Sequence, residues 1–364
     1  MSTAYVFDGK LWRDANEGAT ITATATDSDG FTLGATKPSA SNTGAQDSLL
    51  TGTLYGDQVI NTAGTTIRNK RIQGYVVVNA ANVTLQNCVI VGRNVGYTGR
   101  SGLVQCNSSG TRIIGCTIRP AYPRYFLNGI SGKGFRAYRC DISQGVDAIA
   151  MKGSNCSAEG SYLHDLAFFD GRNTLNGNGS DHAHDSRFPG WTHNDGVQIY
   201  GYANNRVTGC FIKAYFSSSV GTPNTAAVTG CSGGNNNGRI MPRRNYANGI
   251  TCAPTSARLD NAVISSNWFE GGEVSIQIPA QGRGYDSGNT IAIKYNRFGL
   301  DQKPGYTGNP VNPHQYMRYV ASLGTFTLSG NKYDNTTSVP LHLRNQAIPA
   351  GVLYGGQKTW QVTK

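Results

Sequence analysis

Charge is in short supply in this sequence, and one sign outweighs the other. Charged residues make up 15% of the 364, well below the roughly 25% of ordinary soluble proteins. Thirty-two lysines and arginines face 21 acids, for a formal charge of +11. A basic excess favours an anionic partner. The densest basic piece, RIMPRRNY at 239–246, has no helical period and matches no nucleic-acid motif, so nucleic acid is not expected. No run approaches the ~18 apolar residues of a membrane span, and the opening MSTAYVFDGKLWRDANEG lacks the basic-then-apolar pattern of a secretory leader. The chain is therefore expected to be soluble and not exported by that route. The eight cysteines contain no CxxC pair, which argues against a zinc site. What is abundant is glycine, 47 residues, nearly twice the usual share of about 7%. Many turns and little helix are the consequence.

The cysteines carry a pattern in their contexts. NVTLQNCVIVG (82–92), GTRIIGCTIRP (110–120), GFRAYRCDISQ (134–144) and NNRVTGCFIKA (204–214) lie over one another, each a short alternating strand running into Cys. ARLDNAVISSNWFEG (257–271), NTIAIKYNRFG (289–299) and GTFTLSGNKYD (324–334) continue the frame with Asn267, Asn296 and Asn331 at the cysteine position. Cys88, Cys116 and Cys140 are 28 and 24 residues apart, and the three asparagines 29 and 35. A variable period of that size is the mark of a solenoid. A unit of about 24 residues holds three strands of three to six residues with tight turns, and leaves no room for a crossover helix. A parallel β-helix follows, right-handed because parallel crossovers are. The fold class expected is all-β, a single-stranded right-handed parallel β-helix with loop excursions and short terminal caps. Cys and Asn should stack as a ladder at one inward turn, with thiols reduced rather than paired.

A second set of strands alternates with the first: YVVVNA (75–80), LVQCN (103–107), NGISG (128–132), DAIAMKG (147–153), DGVQIYG (195–201), NGITC (248–252) and VSIQI (274–278). The longest excursions, 164–193, 214–247 and 299–320, are expected on one flank as walls of a groove. Residues 1–35, with DG between two alternating runs at 5–13, read as a hairpin cap or attachment segment. Residues 36–345 form the helix, and 346–364 a closing cap or oligomer contact.

The run from 40 to 92, ASNTGAQDSLLTG to LQNCVIVG, together with HNDGVQIYGYANNRVTGCFI (193–212), resembles right-handed β-helix proteins of the pectate-lyase-like superfamily. Members of this kind occur in actinobacteria and in the tails of their phages. The likeness spans roughly residues 36 to 335. YVFDGKLWRDAN is similar to small hairpins at the start of phage tail proteins. The resemblance implies a tail spike or minor tail protein of the virion, with a secreted extracellular protein as the alternative. It further implies a homotrimer, contacts with other phage tail proteins, and binding or cutting of host cell-envelope polysaccharide. HNDG is also similar to the NTDG motif of polygalacturonases, and VDAIAMKG to their DDCIAIK segment. Here the order of the two is reversed and one Asp of DD is kept, which argues against hydrolysis of that kind.

Sugar-bond cleavage by acid–base chemistry needs two carboxyl groups across the bond. Asp195 and Asp147 open matching strands of neighbouring coils and form the candidate catalytic pair, with His193 beside them. Four of the six histidines, His164, His182, His184 and His193, fall within thirty residues, among Asp165, Asp170, Asp181 and Asp185. Candidate substrate-binding residues are Asn194, Gln198, Tyr200, His164, Asp165, His182, His184, Asp185, Arg187, Trp191, Arg243 and Arg244. No cofactor is expected. If an ion binds, it is a divalent cation such as calcium at Asp181, His182, His184 and Asp185, since the two histidines of DHAHDS would share one face of a strand. The plainer readings are a solvated polar loop for 171–186, and for Asp195 a turn cap bonding its own backbone. A lyase would instead need a cation for an acidic sugar, and Lys152, Arg187, Arg243, Arg244 and Arg318 are available. Three functions remain open: polysaccharide recognition, polysaccharide depolymerisation, and a purely structural tail component.

Overall fold

The computed structural model describes residues 37–94, 101–123, 127–167, 194–214, 247–270, 274–279, 281, 283–298, 315–319 and 323–333, with four short strands nearer the ends. They form three large sheets of eleven, nine and ten strands and two further two-stranded pairs. Neighbouring strands belong to successive coils and pair in parallel, except where the chain ends. The fold is a parallel β-helix. One coil runs Gly102–Cys106, Thr111–Ile114, Thr117–Ile118, and the next Asn128–Gly132, Phe135–Tyr138, Asp141–Ser143. No α-helix occurs among the described residues, and no helix there is long and apolar enough to cross a membrane.

Each short strand sends one or two side chains inward, and register stacks them from coil to coil. Val104 pairs with Ile130, Ile113 with Ala137 and Ile118 with Ile142, all fully buried. Burying one such aliphatic side chain stabilises by about 1.5–3 kcal/mol, so a continuous core compensates for strands as short as Val89–Ile90.

The cysteine frame is two strands, where the sequence suggested one. Thr84–Gln86 and Val89–Ile90 lie in different sheets, joined at a corner by Asn87 and Cys88. The residue before each ladder position takes positive φ: Asn87 at 49°, Gly115 at 54°, Arg139 at 49°, Gly209 at 64°, Ser266 at 56° and Tyr295 at 57°. This left-handed corner explains the recurring Gly or Asn before Cys. The expected ladder is present, with one additional rung. Ser161 Oγ accepts the Cys140 N–H at 3.0 Å, so the coil through Ser157–Glu159 and Tyr162–His164 carries serine where its neighbours carry cysteine. Higher up, Asn267 accepts the Cys210 N–H at 2.9 Å, Asn296 that of Asn267 at 3.0 Å, and Asn331 that of Asn296 at 3.0 Å. The seven described cysteines are free and buried.

The longest connections share one corner. Tyr162–His164, Phe211–Lys213 and Arg297–Phe298 belong to the ten-stranded sheet, and the chain re-enters the eleven-stranded sheet at Asn194–Ile199, Ala247–Cys252 and Gln315–Tyr319. The intervening segments lie outside the described residues. Before the first coil, residues 37–46 cross the outer face of the ten-stranded sheet. Lys37 Nζ sits 3.0 Å from Glu270 Oε1 and 4.1 Å from the Phe211 ring centroid. The Gln46 N–H bonds Asn87 Oδ1 at 2.7 Å. At the ends, Tyr5–Phe7 and Trp12–Asp14 pair antiparallel. Leu343–Ala347 pairs antiparallel with Lys358–Val362, which in turn lies antiparallel on Gln315–Tyr319.

Candidate active site

Asn128, Asp147, Asp195 and Asn248 occupy one column of the eleven-stranded sheet, on four successive coils. Asp195 is in register with Asn248, and the pairing of Ile149 with Val197 and of Ile130 with Ile149 places Asp147 level with Asp195 and Asn128. The next residue in each coil faces the core. A Cβ on Gly196 would stand 2.4 Å from Ile212 Cγ2, on Gly129 2.5 Å from Ile142 Cγ2, and on Gly249 2.6 Å from Phe269 Cδ1. Two consecutive residues, Gly196 and Val197, face the core, and Asp195 before them meets the Thr251 hydroxyl on the outer side of the sheet. The glycine of HNDG is thus a packing requirement, and it aims Asp195 away from the core.

The column is held by bonds between coils. The Asp147 N–H donates to Asn128 Oδ1 at 3.1 Å, and the Asp195 N–H to Asp147 Oδ1 at 2.9 Å. Thr251 Oγ1 donates to Asp195 Oδ1 at 2.7 Å, and Asn248 Nδ2 donates to Thr251 Oγ1 at 3.1 Å. Asp147 and Asp195 are 4% and 3% exposed. Burial pushes the Asp147 carboxyl well up, and the neighbouring Asp195 charge pushes it further. Burial likewise pushes Asp195 up, to about 7, against hydrogen bonds from Thr251 and Asn248 that favour its charged form. Two carboxyls on adjacent strands, whose axes lie about 4.8 Å apart, cannot both ionise cheaply. Both carboxyls are pushed toward the neutral form.

Around the pair lies a polar outer face. Lys152 Nζ donates to Ser101 Oγ at 3.1 Å and sits 5.4 Å from the Tyr200 ring centroid. Burial pushes the Lys152 ammonium down, with Asp147 pulling it back up. Tyr200 Oη donates to Gln198 Oε1 at 2.7 Å, and burial raises its phenol beyond the usual range. Gln105, Ser131, Ala150, Gln198, Thr251 and Gln277 follow one another in register across six strands. Apart from Ala150 this is a row of neutral hydrogen-bonding side chains.

Other candidates have different places. Asn194 was expected to bind substrate; it is fully buried, and its amide donates to Val146 O and Ala167 O, both at 2.7 Å. Its polar group serves the return of the chain into the sheet. His164 lies on the ten-stranded sheet between two carboxylates, Nδ1 2.7 Å from Asp165 Oδ2 and Nε2 2.8 Å from Asp141 Oδ1, stacked on Tyr162 at 4.0 Å. Burial pushes its pKa down, but the bonds and charges of Asp141 and Asp165 outweigh this and leave it raised. Both ring nitrogens are engaged, so His164 joins Asp141 and Asp165 in one hydrogen-bonded group on the ten-stranded sheet, apart from the Asp147–Asp195 column. His182, His184, Asp181, Asp185, Arg187, Trp191, His193, Arg243 and Arg244 lie outside the described residues. Among the described residues no group of three His, Cys, Asp or Glu could hold a metal ion. Sequence reasoning missed Asn128, Asn248 and Thr251, although NG, DA, DG and NG at the heads of 128, 147, 195 and 248 mark the column.

No protein-family model matches the chain, and no curated protein matches it. The chain is similar in fold to solved structures. One is an alginate lyase from Paenibacillus sp. str. FPU-7, at 13% identity and TM-score 0.39, covering 78% of this chain and 96% of that one. Another is pectate lyase Pel9A, at 12% identity and TM-score 0.31, covering 77% and 69%. At these identities the likeness concerns the fold alone.

The chemistry available is proton transfer. A carboxylic acid neutral near pH 7 can donate, and an adjacent carboxylate can accept or stabilise developing positive charge.

Proposed function

We propose that this chain recognises host cell-envelope polysaccharide along the outer face of the eleven-stranded sheet, as a phage tail spike or minor tail protein. The observation that carries the glycan reading is the set of half-buried amides Gln105, Gln198 and Gln277 in one register row of the outer face, with Ser131, Ala150 and Thr251 buried between them. Neutral amides and hydroxyls repeated along a rigid face suit a repeating polyol, and Tyr200 and Lys152 border the row. The virion role, a homotrimeric state and contacts with other tail proteins rest on the sequence resemblance of residues 40–92 and 193–212 and of the opening hairpin.

A second reading, depolymerisation, is favoured by the acids in the column. Asn128 accepts the Asp147 N–H through its side-chain oxygen, so asparagine serves this ladder without burying an ionisable group. Aspartate at 147 and 195 adds a desolvation penalty that the ladder does not need, and perturbed acids of that kind concentrate at functional sites. Asp147, the more strongly raised of the two, is the proton donor in this reading, and Asp195, held by Thr251, the carboxylate beside it.

One experiment separates the readings. Purified protein is incubated with host-type envelope polysaccharide, following new reducing ends and unsaturated-uronate absorbance, beside Asp195→Asn. Product lost in the variant supports depolymerisation, and the absorbance divides lyase from hydrolase. Binding without product supports recognition alone. Neither binding nor product overturns both and leaves a structural tail component.

A further inference from the structure

We propose that Ser101 and Lys152 form a second catalytic centre on this face, a nucleophile and its base for removing O-acyl groups from the bound glycan. The glycan as substrate rests on the recognition reading; the acyl chemistry rests on the two side chains themselves. Ser101 precedes the strand Gly102–Cys106, and Lys152 follows Ile149–Met151, two coils further on. The lysine reaches over the intervening strand Asn128–Gly132 and brings Nζ to 3.1 Å from Ser101 Oγ. Lys37, Lys213, Arg93 and Arg136 rest on carboxylates. Among the described residues the Lys152 ammonium has no ion pair, and its hydrogen-bond partner there is the Ser101 hydroxyl. Burial pushes it below the ordinary lysine range although Asp147 opposes the shift, and an amine so placed can take up a proton as a base. A serine hydroxyl within hydrogen-bond reach of such a base is an activated nucleophile. Ser101 Oγ also lies 2.9 Å from Ser131 Oγ and 3.2 Å from Gln105 Oε1. Ser131 is fully buried, so half-buried Ser101 is the hydroxyl that can meet a substrate. Gln105 is the first amide of the row assigned to the glycan, and a sugar held there presents its substituents to Ser101. In the reaction Ser101 Oγ bonds to the acyl carbon while its proton passes to Lys152 Nζ. The bond from that carbon to the sugar oxygen then breaks, and Lys152 returns the proton to the sugar. Water adds to the acyl-serine in the same way, which frees the carboxylic acid and restores the Ser101 hydroxyl.

The charged and titratable groups about Lys152 are Asp147 on its own coil, Lys133 beside it on the preceding strand and Tyr200 on the following one, its ring centroid 5.4 Å away. The test treats the full chain with an alkyl fluorophosphonate, which a nucleophilic serine attacks at phosphorus with loss of fluoride. Intact mass is expected to show one phosphonyl group per chain, mapped by peptide fragmentation to Ser101 and lost in Ser101→Ala. Lys152→Arg keeps the positive charge but supplies no base, and labelling is expected to slow about a hundredfold. In the wild type the labelling rate should rise with pH and level off below the ordinary lysine value of about 10.4. No label on Ser101 in the wild type overturns the proposal, whether or not the variants fold. Equal labelling in Lys152→Arg overturns it too. The substrate is tested with O-acetylated envelope polysaccharide, following free acetate, which the wild type should release and Ser101→Ala should not. Label on Ser101 without acetate overturns the glycan ester. The two readings fail separately. Polysaccharide bound with Ser101 unlabelled refutes the dyad and keeps recognition; Ser101 labelled with no polysaccharide bound refutes recognition and keeps the dyad.

Discussion

Replacing Asp195 by asparagine should make the protein more stable above neutral pH, by an amount the structure sets. The side-chain oxygen of asparagine can accept the same Thr251 hydroxyl and Asn248 backbone bonds, as Asn128 does for Asp147 one rung below. What disappears is a buried acid whose ionisation is pushed from 3.8 to about 7. A carboxyl with a raised folded-state pKa binds its proton more tightly folded than unfolded, so stability falls as pH rises between the two values. Below about pH 3 both states are protonated and the penalty vanishes. Above about pH 7 it is complete, and about 3 units at 1.36 kcal/mol each make it of order 4 kcal/mol. Asp147 adds to the effect, because removing the Asp195 charge also eases its ionisation. The assay is urea unfolding of wild type and Asp195→Asn at about pH 3 and about pH 8, on either side of the two values, followed by circular dichroism. The variant should gain most of its advantage at the higher pH and almost none at the lower. Equal or lower stability at pH 8 would show that the carboxylate is compensated in place, and the argument that it is retained for function would fall with it.

Gly196→Ala should destabilise by about 1–3 kcal/mol, because its Cβ would stand 2.4 Å from Ile212 Cγ2 and 2.6 Å from Gly249 O; a shift in urea midpoint reads it. Asn296→Ala should cost about 1–3 kcal/mol at each orphaned partner, since Asn296 accepts the Asn267 N–H and donates to Ile264 O and Asn331 Oδ1. Thermal melts of Asn296→Ala and Asn331→Ala would show comparable losses. Thiol titration should find the seven described cysteines unreactive in the native protein and reactive after denaturation. Burial pushes Cys140 and Cys210 to about 12 and Cys156 to about 11, which suppresses their thiolates at pH 8, while Cys88, pulled down by its hydrogen bond with Cys116, is protected by burial alone.

Much of the solenoid was legible because its period is written in residue types that geometry demands. A left-handed corner selects Gly or Asn, and the inward position after it selects Cys or Asn, so the frame recurs wherever the coil turns. The reading slipped where the chemistry is met by another residue: Ser161 completes the ladder through its hydroxyl, and Arg139 takes the positive-φ corner without being glycine. The candidate site was half legible for a related reason. Aspartates at the heads of two matching strands announce themselves, whereas Thr251 reaches Asp195 from 56 residues away, and no local pattern carries that distance. His164 and Asn194 misled by proximity. Each is a polar residue beside a long excursion, yet the partners that settle it are Asp141, 23 residues upstream, and Val146 O, 48 upstream. In a β-helix the chemical neighbourhood of a residue is its column, and a column is read by laying coils over one another. Laid so, the four heads read Asn, Asp, Asp, Asn, and the departure from asparagine at the middle two rungs is the signal that the linear motif HNDG only partly contains.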